Sequence, residues 1–316
     1  FFMIKNLTSI IINTRNGHRT INRAIRSALA QDYDLTEIII YDNASEPPID
    51  EVILIEDTKL KIIRCTESLN LGEARNRAFG ESSGEYVVFL DDDDIMLPTK
   101  IKLCISALKI DNKIGMVYSN VYVHYQDDSR SYLEHNQKMP EGRMFDLLIR
   151  GNFILWQSTF FKREALMQDI KPFPSKFNNI TDYSLYLKIA KKWKIKYIDE
   201  PLSIYILHGN NYSINNNKAS EELIILSNGE EFNDEERSHL RNYAYNKKIS
   251  KSLEMSNRKK LLSQIILLKS TKTKFRLFVA FFLSYIVDIR TLRLLLVKMK
   301  KNKYSEISNI INIYKT

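Results

Sequence analysis

Tyr86-Val87-Val88-Phe89-Leu90-Asp91-Asp92-Asp93-Asp94-Ile95-Met96-Leu97-Pro98 joins five consecutive apolar residues to four consecutive aspartates. The apolar run is short and rich in valine and aromatic side chains, the pattern of a buried strand. Pro98 suits the first turn of a following helix. Four adjacent carboxylates repel one another, and a compact fold keeps them together only where a cation or water compensates. A hard divalent ion such as Mn²⁺ or Mg²⁺ prefers oxygen ligands, often carboxylates combined with substrate phosphates. A solvated acidic turn has the same composition. Position favours a site: the run lies between a buried strand and a helix, where α/β sheets bind their ligands.

Working towards the amino end, Leu7–Ile12, Glu37–Tyr41 and Lys61–Arg64 are further short runs rich in Ile. Between the first two, Ile21, Ala24, Ile25, Ala28 and Leu29 fall on one helical stripe. A second helix is expected over about Gly72–Phe79 and a third from Pro98. Strand–helix alternation of this kind predicts a mainly parallel central sheet with crossover helices. Towards the carboxyl end, Met116–Tyr125, Phe153–Phe161, Ile195–Ile198 and Leu202–Leu207 read as strands and Thr181–Trp193 as a helix. After about Asn215 the pattern is helical and basic. The expected domains are therefore residues 3–213, with halves near 3–120 and 121–213, and a helical region 214–316.

The net charge is +9, but it is not evenly spread. Residues 257–316 carry 14 Lys and Arg against two acids, a charge of +12, which leaves residues 1–256 at −3. A nucleic-acid enzyme would be expected to carry positive charge around its groove, so a nucleic-acid partner is not expected. The two cysteines, Cys65 and Cys104, show neither a disulfide framework nor a zinc spacing. No secretory pattern opens the sequence, so a cytoplasmic location is expected.

Three segments join the aspartate run in an ordered set. Thr14-Arg15-Asn16-Gly17 follows the first strand, Tyr41-Asp42-Asn43-Ala44-Ser45 the second, and Asn70-Leu71-Gly72-Glu73-Ala74-Arg75-Asn76 opens the second helix. With Phe89-Leu90-Asp91-Asp92-Asp93-Asp94, this set resembles the family 2 glycosyltransferases, inverting enzymes of the GT-A fold with a DxD-type motif. The resemblance covers roughly residues 5–213. It implies a GT-A, Rossmann-like nucleotide-sugar fold. It also implies a nucleoside-diphosphate sugar donor bound by Thr14, Arg15, Asn16, Asp42, Arg75, Asp91 and Asp92, and a divalent cation held at Asp93. Arg15 stands where the family often has an aromatic residue that stacks on the base, and Asn43 replaces a common acid.

Two further segments carry the resemblance. Thr181-Asp182-Tyr183-Ser184-Leu185 is similar to the family's segment bearing the general base, with Thr181 in place of an acid. Asp182 lies on the same helical face as Leu185 and Tyr186, which are apolar and inward. An acid in the first turn is also favoured by the helix dipole alone. Leu207-His208-Gly209-Asn210-Asn211-Tyr212-Ser213 resembles the end of the family's catalytic domain and implies that His208 assists the metal. Asn152 and Trp156 are candidates for the acceptor side, since aromatic faces suit sugar rings, although core packing also accounts for a tryptophan.

The expected reaction is inverting transfer of a sugar to a hydroxyl of a saccharide or lipid-linked acceptor. A nucleotidyltransferase would need a Gly-rich phosphate loop with a lysine after the first strand, and residues 13–19 offer one glycine and no lysine. A non-catalytic sugar-nucleotide binder would have no use for Asp182 beside Asp42 and Asp93. Finally, Leu277–Val287 is an 11-residue apolar run between basic flanks. It is too short to span a bilayer and suits peripheral association with an anionic membrane surface.

Overall fold

The apolar run before the aspartates forms the interior of a strand, β4 (Gly84–Asp91), with Val87 and Val88 fully buried. β1 (Ile4–Thr14) lies between β4 and β2 (Thr36–Asn43), and β3 (Leu60–Cys65) flanks β2. All three pairings are parallel. Their crossover helices are α1 (Ile21–Leu29) and α2 (Leu71–Gly80). The computed structural model describes residues 3–127, 129–209, 211, 218–254 and 306–314.

Beyond β4 come β5 (Ile95–Met96), α3 (Lys100–Leu108), β6 (Ile114–Tyr125) and β7 (Ser131–Leu133). They are followed by α4 (Phe145–Leu148), a 3₁₀ turn over Trp156–Ser158, β8 (Thr159–Lys162), α5 (Arg163–Leu166), α6 (Thr181–Lys192) and β9 (Lys194–Leu207). The sheet order is β3-β2-β1-β4-β8-β6-β9-β5, with β7 on β6. The long pairings are parallel, including β6 with β9, whereas β8, β7 and β5 add antiparallel pairings of two or three residues each. Strand order reverses between β1 and β4, so the crevice for a ligand opens at the carboxyl ends of those two strands.

Ile10, Ile12, Ile38, Ile40 and Val88 from the sheet meet Ile21, Ala24, Ile25 and Ala28 from α1 in the main core. The stripe of apolar residues on α1 is thus the face that packs. Two expectations differ in detail. Residues 195–198 and 202–207 belong to one strand, β9, because register shifts near Asn120 absorb the polar Asp199-Glu200-Pro201 interruption. Within Phe153–Phe161 only Thr159–Phe161 is extended into the sheet; Trp156 turns under the site instead.

The described residues fall into two compact units. The first comprises 3–148, 152–211 and 306–314, and the second 149–151 and 218–254. The second holds α7 (Ala219–Ser227) and α8 (Asp234–Glu254), which pack together with Leu223, Leu240 and Ala244 buried. In the first, α9 (Glu306–Ile313) lays Ile307 and Ile311 on Ile95, Ile204 and Ile206 of β5 and β9. The apolar run 277–287 with its basic flanks lies outside the described residues, as do Asn210, Tyr212 and Ser213.

Candidate functional site

The site is built on the turn that leaves β4. Asp91 and Asp93 are partly exposed, whereas Asp94 is fully buried, and the three offer carboxylate oxygens within 4.8 Å of one another. Asp94 Oδ1 accepts the backbone N–H of Ile206 at 2.8 Å, while its Oδ2 has no hydrogen-bond partner. A buried carboxylate oxygen left unpaired is costly, and three such groups converging suit a hard cation with oxygen preference. Burial raises the Asp94 carboxyl well above the ordinary range, with Asp93 and Asp91 adding repulsion. Burial likewise raises Asp91 to about 6, opposed by Arg75 and reinforced by Asp93 and Asp182.

Asp92 points the other way, into the turn after β1. Thr14 Oγ1 donates to Asp92 Oδ2, and a Cβ on Gly17 would collide with that carboxylate. Glycine at 17 therefore makes room for Asp92. Burial, then Asp93, raises the Asp92 carboxyl to about 7, while the Thr14 hydrogen bond works against the shift.

Asp93 Oδ2 lies 2.9 Å from His208 Nε2 and accepts from Asn211 Nδ2 at 3.1 Å. The Asp93 hydrogen bond raises the His208 pKa, partly offset by burial. The end of β9 thus meets the aspartate turn through Asp93. Asn211 is an additional contact.

Two arginines face the cluster. Arg75 of α2 is buried and reaches Asp91 Oδ1 at 3.5 Å and Thr181 Oγ1 at 2.9 Å. Its guanidinium lies 4.0 Å above the Trp156 ring, a cation–π arrangement that orients the group as well as holding it. Trp156 is 6% exposed and packs on Phe89, Phe173 and Tyr186, so it supports Arg75 from below and presents no open face. Arg23 of α1 donates to the Asp93 carbonyl at 2.5 Å; burial lowers its pKa, and Asp94, Asp93 and Asp92 each oppose that shift. Arg23 and Asp94 both join this cluster; Asp94 was expected only as a member of the aspartate run, and Arg23 was not expected. Arg23 in sequence is one polar position on an amphipathic helix, and no local signal distinguishes it.

The residues expected to meet the nucleotide lie in the loops after β1 and β2. Both Asp42 oxygens accept backbone N–H groups, Ser45 at 2.9 Å and Ile49 at 3.1 Å, so Asp42 shapes the loop after β2. Asn16, at φ 62°, ties the loop after β1 to the same segment: its N–H donates to Ser45 Oγ and its Oδ1 accepts from Glu46 N–H. A short amide side chain tolerates this left-handed backbone. Arg15 is exposed beside it. Asn43 pairs twice with the backbone of Leu69, a use that an acid could only half fulfil. Asn152 Oδ1 accepts from Ile154 N–H, turning its own loop.

Asp182 stands in the first turn of α6, half-buried, and its charge acts on both Asp91 and Tyr186. The amino end of α6 is anchored to α2: Asn178 Oδ1 accepts from Leu71 N–H at 3.0 Å, and Arg75 holds Thr181. The Asp182 carboxylate is thereby close enough to Asp91 for its charge to act on it. No helix among the described residues is long and apolar enough to cross a membrane.

The chain is similar to known proteins in sequence and in fold. Residues 9–171 match the family model described as glycosyl transferase family 2. WfaP of Escherichia coli, a UDP-Glc:alpha-D-GlcNAc-diphosphoundecaprenol beta-1,3-glucosyltransferase, is 30% identical over 70% of this chain and 84% of its own. WfgD of Escherichia coli bears the same description and is 28% identical over 61% of this chain and 73% of its own. The crystal structure of S. aureus TarS 1–349 with UDP-GlcNAc superposes with a TM-score of 0.57 at 14% identity, covering 82% of this chain and 79% of that one. It shows the same fold.

Proposed function

The chain belongs to glycosyl transferase family 2 and is a glycosyltransferase, and from that premise we propose that it transfers a hexose from a UDP-sugar to a lipid-linked saccharide with inversion. The observation that carries this reading is the convergence of Asp91, Asp93 and Asp94 beside Arg75, opposite Asp182. The first group suits a diphosphate and its counter-ion, the second an acceptor. The activities that WfaP and WfgD are named for, with UDP-Glc as donor and GlcNAc-diphosphoundecaprenol as acceptor, favour the same substrate classes here.

In this reading Thr14, Asn16 and Asp42 frame the nucleoside, with Arg15 stacking through its guanidinium plane. Arg75 draws the diphosphate. Asp182 accepts the proton of the acceptor hydroxyl as that oxygen bonds to the anomeric carbon, and the bond from that carbon to the diphosphate oxygen breaks with its electron pair leaving on UDP. Attack from the face opposite the diphosphate inverts the anomeric centre. Asp91, Asp93 and Asp94 would hold a Mn²⁺ or Mg²⁺ ion, with His208 steadying Asp93; such an ion supplies Lewis-acid stabilisation of the departing diphosphate. The acceptor, being lipid-linked, brings the enzyme to the cytoplasmic face of a membrane, and the basic carboxyl-terminal region is the segment suited to that surface.

The test is UDP release from UDP-Glc, UDP-Gal and UDP-GlcNAc with a GlcNAc-diphosphate-lipid acceptor, in Mn²⁺, Mg²⁺ or chelator. Acceptor-dependent release abolished by chelator is expected. Absence of release with every UDP-sugar, or release indifferent to chelator, would overturn the donor class or the metal respectively.

A further inference from the structure

Lys100, the first residue of α3, is 1% exposed. Its ammonium donates to two neutral oxygens, the Gln157 carbonyl at 2.5 Å and Ser203 Oγ at 2.9 Å. Ser203 Oγ donates in turn to the same Gln157 carbonyl at 2.7 Å. A buried ammonium without a carboxylate on it is expensive to desolvate, and the amino end of a helix is the wrong end for a cation. Methionine would fill the same space without either cost. The charge of the buried Asp94 offsets only part of the desolvation cost, and the direct contacts of the ammonium are all to the turn and to Ser203.

What the lysine grips is the 3₁₀ turn beneath the site. Trp156 in that turn supports the Arg75 guanidinium at 4.0 Å. The neighbouring Gln157 is buried, and its Nε2 lies 3.4 Å from Asp91 Oδ2 and also favours the ionised form of Asp94. One backbone carbonyl held by two donors thus fixes the turn that carries both side chains, Gln157 towards Asp91 and Trp156 under Arg75. We propose that Lys100 is a positioning residue for sugar transfer, a buried cation that clamps the Trp156–Gln157 turn and thereby sets Asp91 and Arg75. This inference rests on the glycosyltransferase reading above.

Because a small misplacement of site groups can cost large factors in rate, Lys100→Met is expected to lower kcat/KM for the donor by at least ~10-fold, with melting temperature unchanged or raised. Gln157→Leu should cause a comparable loss. If the lysine acts through the turn, the double variant should lie close to the worse single one; losses that multiply, or Lys100→Met within threefold of wild type, would overturn the proposal. Should Lys100→Met fail to fold, the same cycle with Ser203→Ala, which removes the second donor to the carbonyl, decides by the same criterion. A readout independent of turnover separates this from a failure of the functional reading. With Trp193→Phe, Trp156 is the remaining tryptophan, and Lys100→Met should shift its emission. An unchanged spectrum would show that the lysine does not hold the turn, whatever the enzyme transfers.

Discussion

Asp182 and Asp92 are both acids near one crevice, but their surroundings give them different work. Asp182 is half-buried at a helix start and close enough to Asp91 to disfavour its ionisation. In the proposed role of general base it would matter to the proton, not to the donor, so Asp182→Asn should lower kcat by at least ~10²-fold while leaving UDP affinity by calorimetry within twofold. A kcat within a few-fold of wild type would return Asp182 to the role of a helix-dipole partner. Asp92 is different, because burial and then Asp93 hold its carboxyl up to about 7. A carboxyl raised above its unfolded value keeps a proton that the unfolded chain has lost. Its contribution to stability is therefore present in full below about pH 4 and is lost as pH rises through about 7. In chelator, the urea midpoint should fall between pH 5 and pH 8, and Asp92→Asn should flatten that fall, gaining on the order of 1 kcal/mol at pH 8 once screening at the open mouth is allowed for. The same slope in both proteins would place the titrating group elsewhere.

Elements divide into those that local pattern determines and those that partners determine. β1, β2, β4 and α1 were legible because their apolar residues follow the strand or helix period and end at the main core. Thr14, Asp42 and the aspartates stood out in the sequence as motifs at strand ends, and Arg75 as part of the motif that opens α2. The 3₁₀ turn at Trp156 was not, since its apolar composition is that of a strand and the groups that hold it, Lys100, Ser203 and the Arg75 guanidinium, are distant in sequence. Nor could Arg23, Gln157 or the unpaired oxygen of Asp94 be read, because each depends on a neighbour far away in sequence. α9 is the clearest such case: within a basic, helical stretch, Ile307 and Ile311 find a separate apolar surface on β5 and β9. That surface backs Asp94, which Ile95 follows and Ile206 hydrogen-bonds. Ile311→Ala should cost about 2–4 kcal/mol in urea unfolding, the usual range for a large buried residue cut to alanine. A loss below ~0.5 kcal/mol, the ordinary surface value, would mean that α9 rests on the sheet without being needed by it.

At the scale of the whole molecule, charge is segregated: residues 1–256 sum to −3 and residues 257–316 to +12. By net charge, the carboxyl-terminal region, which includes the 277–287 apolar run outside the described residues, is the segment suited to an anionic membrane. Each cation near an anionic surface adds about 1 kcal/mol, and buried apolar side chains add more. Deleting the whole region would be an ambiguous experiment, because α9 lies beyond the run and is part of the first unit. Substitution within the chain avoids that fault. Changing Arg290, Arg293, Lys298, Lys300, Lys301 and Lys303 to Gln removes six positive charges while leaving α9 intact. Sedimentation with phosphatidylglycerol vesicles at low salt should carry wild type into the pellet and leave the substituted chain largely in the supernatant. Raising the salt to ~0.5 M should release wild type in part, since screening weakens the ionic contribution but not the apolar one. If wild type stays in the supernatant at low salt, the basic region does not bind a membrane, and the acceptor must be reached without anchoring.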